Sequence, residues 1–175
     1  GLDLTMLDGM RPIVVTTMVS LTLIQKSMPG FNPAEQLDTK FQKIYSAAGK
    51  DVVALETPEE QAALLYEFTP ITQQLEALRE TLDDTSKVED MATQLNQAYL
   101  EQDLEKMMSL SDQEQTDPAF MQAMLGLRNH KWMERIPGIM DAQPALIVVG
   151  ALHLAGPDGL ISLLRNAGYS VTPLD

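Results

Sequence analysis

The chain contains no cysteine, which removes disulfides, thiolate nucleophiles and Cys-based zinc sites from consideration. Histidine is almost as scarce. There are two, His130 and His153, so metal ligands would have to come mostly from carboxylates. Basic residues are outnumbered, 12 Lys and Arg against 25 Asp and Glu, for a formal charge of −13. No basic excess exists to neutralise phosphates, which argues against a nucleic-acid partner and disfavours an anionic membrane surface. The longest apolar run near the start, residues 12–24, is too short and too rich in Thr to span a bilayer. It also lacks the flanks and cleavage site of a signal peptide. There is no G-x-S-x-G elbow, no phosphate loop of the G-x-x-x-x-G-K type and no H-E-x-x-H pair.

What remains is an ordinary globular balance, 45% apolar and 21% charged over 175 residues, enough for one domain with a real core. Residues 11–26 are rich in β-branched side chains, yet Val14, Met18, Leu21 and Gln25 fall at helical spacing behind Pro12, and the segment is read as a helix. Leu37, Phe41, Ile44, Tyr45 and Ala48 form a second stripe ended by Gly49. Thr57-Pro-Glu-Glu60 has the form of a capping box, and Ile71, Leu75, Leu78 and Leu82 make a further stripe. One or two helices are expected over 87–110, a polar loop over 111–116, and a helix from Pro118 to about Ile136. The eleven Met recur at helical spacing and are most simply core.

Three segments read as strands: residues 51–56, 145–150 and 169–173. Ala145 to Val149 is a continuous apolar run suited to a strand buried on both faces. The fold class expected is therefore α/β, predominantly helical with a small sheet, in a single domain spanning residues 1–175. His153 lies just past one strand end and Glu56 at another. Parallel strands present their carboxyl ends on one edge, so the two could meet as a metal half-site or an acid/base pair. The plainer alternatives are a loop-bonding imidazole and a carboxylate favoured by the next helix's dipole. In the helix after Pro118, the residues Met121, Met124, Leu125, Arg128 and Trp132 share one face. A guanidinium inside an apolar stripe must find a carboxylate or carbonyls there, as a ligand-binding group or as a structural clamp. His130 points nearly the opposite way and is read as surface.

These pieces together resemble the TraB/GumN family, which includes the Tiki metalloproteases. The resemblance rests on Leu37-Asp38, Gly49-Lys50, Ala54-Leu-Glu-Thr57 with Gln61, Leu127-Arg-Asn129, and Val149-Gly-Ala-Leu-His-Leu-Ala-Gly156 with Gly159-Leu160, Leu164 and Gly168-Tyr169. It runs from about Leu37 to the C-terminus. It implies a divalent-metal-dependent hydrolase, peptidase-like, acting on a peptide or protein, with Mn, Co or Zn as cofactor. Carried over, it makes Glu56, Arg128, Asn129, Gly150 and His153 the site residues. Glu56 and His153 would be metal ligands or acid/base groups, and Arg128 and Asn129 would orient ligands or stabilise negative charge. The sequence departs from the family pattern at Ala54, where Gly is usual, and in lacking the first of two G-x-x-H motifs. The chain is thus expected to be the C-terminal portion of a longer domain, inactive alone, with an exposed sheet edge through which copies could associate. The resemblance also implies an exported, bacterial cell-envelope location. The alternative function is a non-catalytic binding module using the same pocket. A third is a structural domain in which Arg128 is salt-bridged to Glu56.

Overall fold

A computed structural model describes residues 7–32, 34–114 and 117–174. Ten α-helices lie among them, with a π-helical turn at Gln122–Gly126 and a 3-10 turn at Ala151–Leu154. They are α1 (Pro12–Ser27), α2 (Leu37–Ala47), α3 (Pro58–Glu67), α4 (Ile71–Asp83), α5 (Thr85–Leu100), α6 (Leu104–Glu114), α7 (Pro118–Met121), α8 (Leu127–Met133), α9 (Ile136–Ala142) and α10 (Leu160–Asn166). The chain divides into two compact units. Residues 1–36 and 58–94 form the first; 37–57 and 95–175 form the second.

In the first unit, α1 packs on α4. The β-branched run of α1 is helical because Pro12 sets its first turn and its threonines bond within it. The hydroxyls of Thr16, Thr17 and Thr22 donate to the carbonyls of Pro12, Ile13 and Met18 at 2.8–3.0 Å. The buried face of α4 is not its leucine stripe: Ile71, Leu75 and Leu82 are all more than half exposed, whereas Gln74 is 1% exposed. The Gln74 amide donates to the carbonyls of Tyr66 (3.1 Å) and Thr69 (2.7 Å) and accepts from the Ile13 amide (3.3 Å). It ties the start of α1 to the α3–α4 corner, and a buried amide satisfied this fully stabilises the corner.

The second unit is built on Trp132, Ile136 and Leu160, with Leu55, Met133, Met140, Ile147, Val149, Leu154 and Leu164 packed around them. Here the expectation of a sheet fails. No strand is present among the described residues, and 51–56, 145–150 and 169–173 contain no ladder. The physical reason is visible at each segment. Along 145–150 the side chains alternate, with Ile147 and Val149 against the helical core and Leu146 and Val148 outside. The apolar run is thus half covered by helices rather than sandwiched by other strands. At 51–56 the carbonyl of Ala54 accepts from the Arg135 guanidinium (2.9 Å), where a neighbouring strand would have donated an amide. At 169–173 the Arg165 guanidinium does the same for the Val171 carbonyl (2.8 Å), while the Tyr169 amide closes the end of α10 on the Leu164 carbonyl (3.0 Å). Extended backbone must place its polar groups somewhere, and in two of these segments arginines take a carbonyl. Among the described residues there is therefore no sheet edge.

Two further boundaries differ from the periodicity. The expected loop at 111–116 is helical to Glu114, with 115 and 116 outside the described residues. The helix after Pro118 is not continuous: Gln122–Gly126 forms a π-turn between α7 and α8.

Candidate functional site

Two consecutive residues of α8, Arg128 and Asn129, reach toward His153 in the 3-10 turn Ala151–Leu154. The π-turn before α8 adds a residue to the helical turn and resets which side chains face inward. It is tight: a Cβ on Gly126 would lie 2.5 Å from the Gln122 side-chain amide. With that phase, Ala123, Gly126, Asn129, Trp132 and Ile136 are buried, while Leu127 and His130 are exposed.

Asn129 is 1% exposed, and its contacts fix both its own orientation and that of His153. Its Nδ2 donates to the carbonyls of His153 (3.1 Å) and Asp158 (2.8 Å). Only the amide nitrogen can serve two carbonyls, so Oδ1 faces His153 Nδ1, 2.7 Å away. An amide oxygen is only an acceptor, so Nδ1 carries the proton. On the other side of the ring, His153 Nε2 lies 3.2 Å from Nη1 of Arg128. A guanidinium only donates, so Nε2 must offer a lone pair. Two independent contacts thus select one neutral tautomer. Burial, and then the Arg128 charge, push the His153 pKa down from 6.5 to about 4, with Glu56 partly opposing them.

Arg128 has every nitrogen engaged. Nε and Nη2 donate to the two carboxylate oxygens of Glu56 at 2.9 and 2.6 Å, a bidentate fork, and Nη1 donates to the Met124 carbonyl at 2.9 Å. Both side chains are largely shielded, at 16% and 15% exposure. The guanidinium lies over the Trp132 ring, 4.9 Å from its centroid, and that ring meets the His153 imidazole at 4.5 Å between centroids. A desolvated cation on an indole face is favourable. The Trp132 Nε1 donor is buried and finds no acceptor among the described residues.

The turn that follows His153 is pinned from α8 as well. Asn129 holds the carbonyl of Asp158, and His130, exposed as read from the sequence, meets its carboxylate at 2.8 Å. Gly159 cannot be larger, because a Cβ there would sit 2.2 Å from the Ala155 carbonyl oxygen. Gly150 is under no such constraint. Its φ is −62°, and a Cβ would meet only His153 Cδ2 at an ordinary 3.8 Å. Among the described residues nothing sterically requires a glycine at position 150.

Of the residues singled out from sequence, Glu56, Arg128, Asn129 and His153 come together. The parallel strand ends expected to join Glu56 and His153 are absent, and Arg128 bridges them instead. Three participants were not among those expected: the Trp132 ring, the Met124 carbonyl and the Asp158 carbonyl. Trp132 carried a sequence signal, since it lies one helical turn after Arg128 on the same inward face. The two carbonyls carried none. Among the described residues, no group of three or more His, Asp or Glu is placed to hold a metal ion, and no helix is long and apolar enough to cross a membrane.

Comparison with known proteins agrees with the resemblance and extends it toward the N-terminus. The model of the TraB/PrgY/gumN family matches residues 1–173, so the segment before Leu37 falls within the match too. No curated protein and no solved structure matches the chain. With a match over nearly its whole length, the chain belongs to the TraB/PrgY/gumN family.

Proposed function

We propose that this chain carries part of the site of a divalent-metal-dependent hydrolase acting on peptides or proteins, with His153 and Glu56 as metal ligands. The observation that carries the reading is the Asn129 clamp on His153. A metal-binding imidazole must be neutral, with one nitrogen unprotonated and the other held by an outer partner; Asn129 holds Nδ1 in that way, and the unprotonated Nε2 faces Arg128 Nη1. The donor types, an imidazole nitrogen and a carboxylate, suit Mn²⁺, Co²⁺ or Zn²⁺. The donor count is two, and a catalytic zinc site ordinarily has three protein ligands, so a third comes from outside this pair. A metal bound there would supply an activated water and a polarised carbonyl. The chain's own residues set the conditions. Asn129 keeps the His153 lone pair directed, Trp132 shields the ring, and Arg128 offers positive charge where an oxyanion would develop.

Calorimetric titration of Mn²⁺, Co²⁺ and Zn²⁺ into this chain and into His153→Ala tests the reading. Saturable binding that disappears in the variant is expected. Absence of binding to the unaltered chain, or equal binding by both, overturns it.

A second reading has an observation of its own in favour. The bidentate Arg128–Glu56 pair already satisfies both groups, as a purely structural clamp would. In that case Arg128→Ala lowers the melting temperature and none of the three metals changes it.

A further inference from the structure

The two side chains that would bind a metal are both occupied by one residue of the same chain. Arg128 covers the lone pair of His153 Nε2 with Nη1 and both oxygens of Glu56 with Nε and Nη2. It is braced for that position by the Met124 carbonyl below and the Trp132 ring face beside it. A divalent cation and this guanidinium need the same three donor atoms. They also repel one another, and at 15–16% exposure water screens that repulsion weakly.

We propose that Arg128 is an internal competitor for the metal: a guanidinium latch that must swing off Glu56 and His153 before a divalent cation can enter. This rests on the metal-site reading above and adds its regulation. The latch can release without unfolding the helix, because among the described residues its one main-chain anchor is the Met124 carbonyl, four residues back on its own helical run. Apparent affinity for metal is then the intrinsic affinity multiplied by the fraction of molecules with the latch open. Any ligand offering an anionic oxygen to the freed guanidinium would raise that fraction, so metal and an anionic substrate group would bind with positive coupling.

The test is a Mn²⁺ titration of this chain beside Arg128→Gln, which keeps a polar side chain and removes the charge and the fork. Arg128→Gln is expected to lower the Kd for Mn²⁺ by about tenfold or more, as expected when the competent fraction rises from a minority to nearly all. Two failures are distinguishable. If both chains bind Mn²⁺ and the variant binds no tighter, the latch is wrong and the metal site stands. If neither binds, both fall. Should Arg128→Gln not fold, the unaltered chain still decides by NMR with Zn²⁺. The Nε–H resonance of Arg128, protected by Glu56 in the free protein, is expected to shift and exchange faster as the His153 signals respond. An Arg128 resonance that stays unchanged while the His153 signals saturate overturns the latch.

Discussion

Replacing Glu56 by Gln isolates the energetics of the site, because it removes one charge and leaves the shape nearly unchanged. Arg128 would keep the Met124 carbonyl, the His153 lone pair and the Trp132 face, and would exchange two bonds to carboxylate oxygens, 2.9 and 2.6 Å long, for at most one to a neutral amide oxygen, with the new NH2 group facing its own N–H donors. A fully exposed pair of this kind contributes about 0–1 kcal/mol, and breaking a fully buried one costs about 3–5 kcal/mol. At 16% and 15% exposure the pair lies nearer the buried limit, and its remaining contacts reduce the damage, so a loss of about 2–3 kcal/mol is expected. Urea unfolding read by fluorescence suits the measurement, since Trp132 is the chain's single tryptophan and its ring touches the guanidinium. The midpoint should fall by roughly 1–2 M at the slopes usual for small domains. The Arg128→Met/Glu56→Gln double variant should lose about 2 kcal/mol less than the two single losses added together, because no buried charge is then stranded. A Glu56→Gln cost within about 0.5 kcal/mol, or strict additivity in the double variant, would refute the claim that a shielded ion pair organises the site.

Two further outcomes follow from the geometry. His153 has a folded pKa of about 4 against 6.5 unfolded, so the unfolded chain takes up a proton first as pH falls. Stability is full above pH 6.5 and is lost progressively down to pH 4, by up to about 3 kcal/mol, and His153→Gln should flatten that slope in denaturant titrations across the window. Gly159→Ala would drive a Cβ into backbone at 2.2 Å and should cost more than about 3 kcal/mol, whereas Gly138→Ala, with nothing within 4 Å in α9, should be neutral or stabilise by about 0.5–1 kcal/mol; thermal melts of both variants check the contrast.

The helices were legible because a 3.6-residue pattern is a local property. Stripes and punctuation located α2, α3, α4 and the helix after Pro118 within a few residues, and the positive φ of Gly49 follows the end of α2 where the sequence places its cap. The direction a stripe faces was less legible. In α4, Ile71, Leu75 and Leu82 lie outward while the amide of Gln74 is turned in, and its bond to Ile13, 61 residues away, is a contact that no local pattern encodes. Strands were misread for a related reason. An apolar β-branched run such as 145–149 is compatible with a sheet, but a strand exists only where another supplies its ladder.

The site was legible in part, by two routes of unequal quality. Arg128 was placed by physics, since a guanidinium in an apolar stripe must find partners, and the expected carboxylate is Glu56. Asn129 entered only through the family resemblance, although its amide proves to be the group that sets the His153 tautomer. Glu56 and His153 were expected to meet through adjacent strand ends, and they are linked instead by a side chain from α8. The π-turn Gln122–Gly126, which sets the phase of that helix, had no sequence signature.

The claim on which the site, its metal reading and its latch all depend is the protonation of His153. Long-range ¹⁵N–¹H correlation spectra of the imidazole at neutral pH measure it directly. A neutral ring with the proton on Nδ1 and an unprotonated Nε2 is expected, with loss of that single tautomer in Asn129→Leu. A ring carrying its proton on Nε2, or an imidazolium at pH 7, would contradict it.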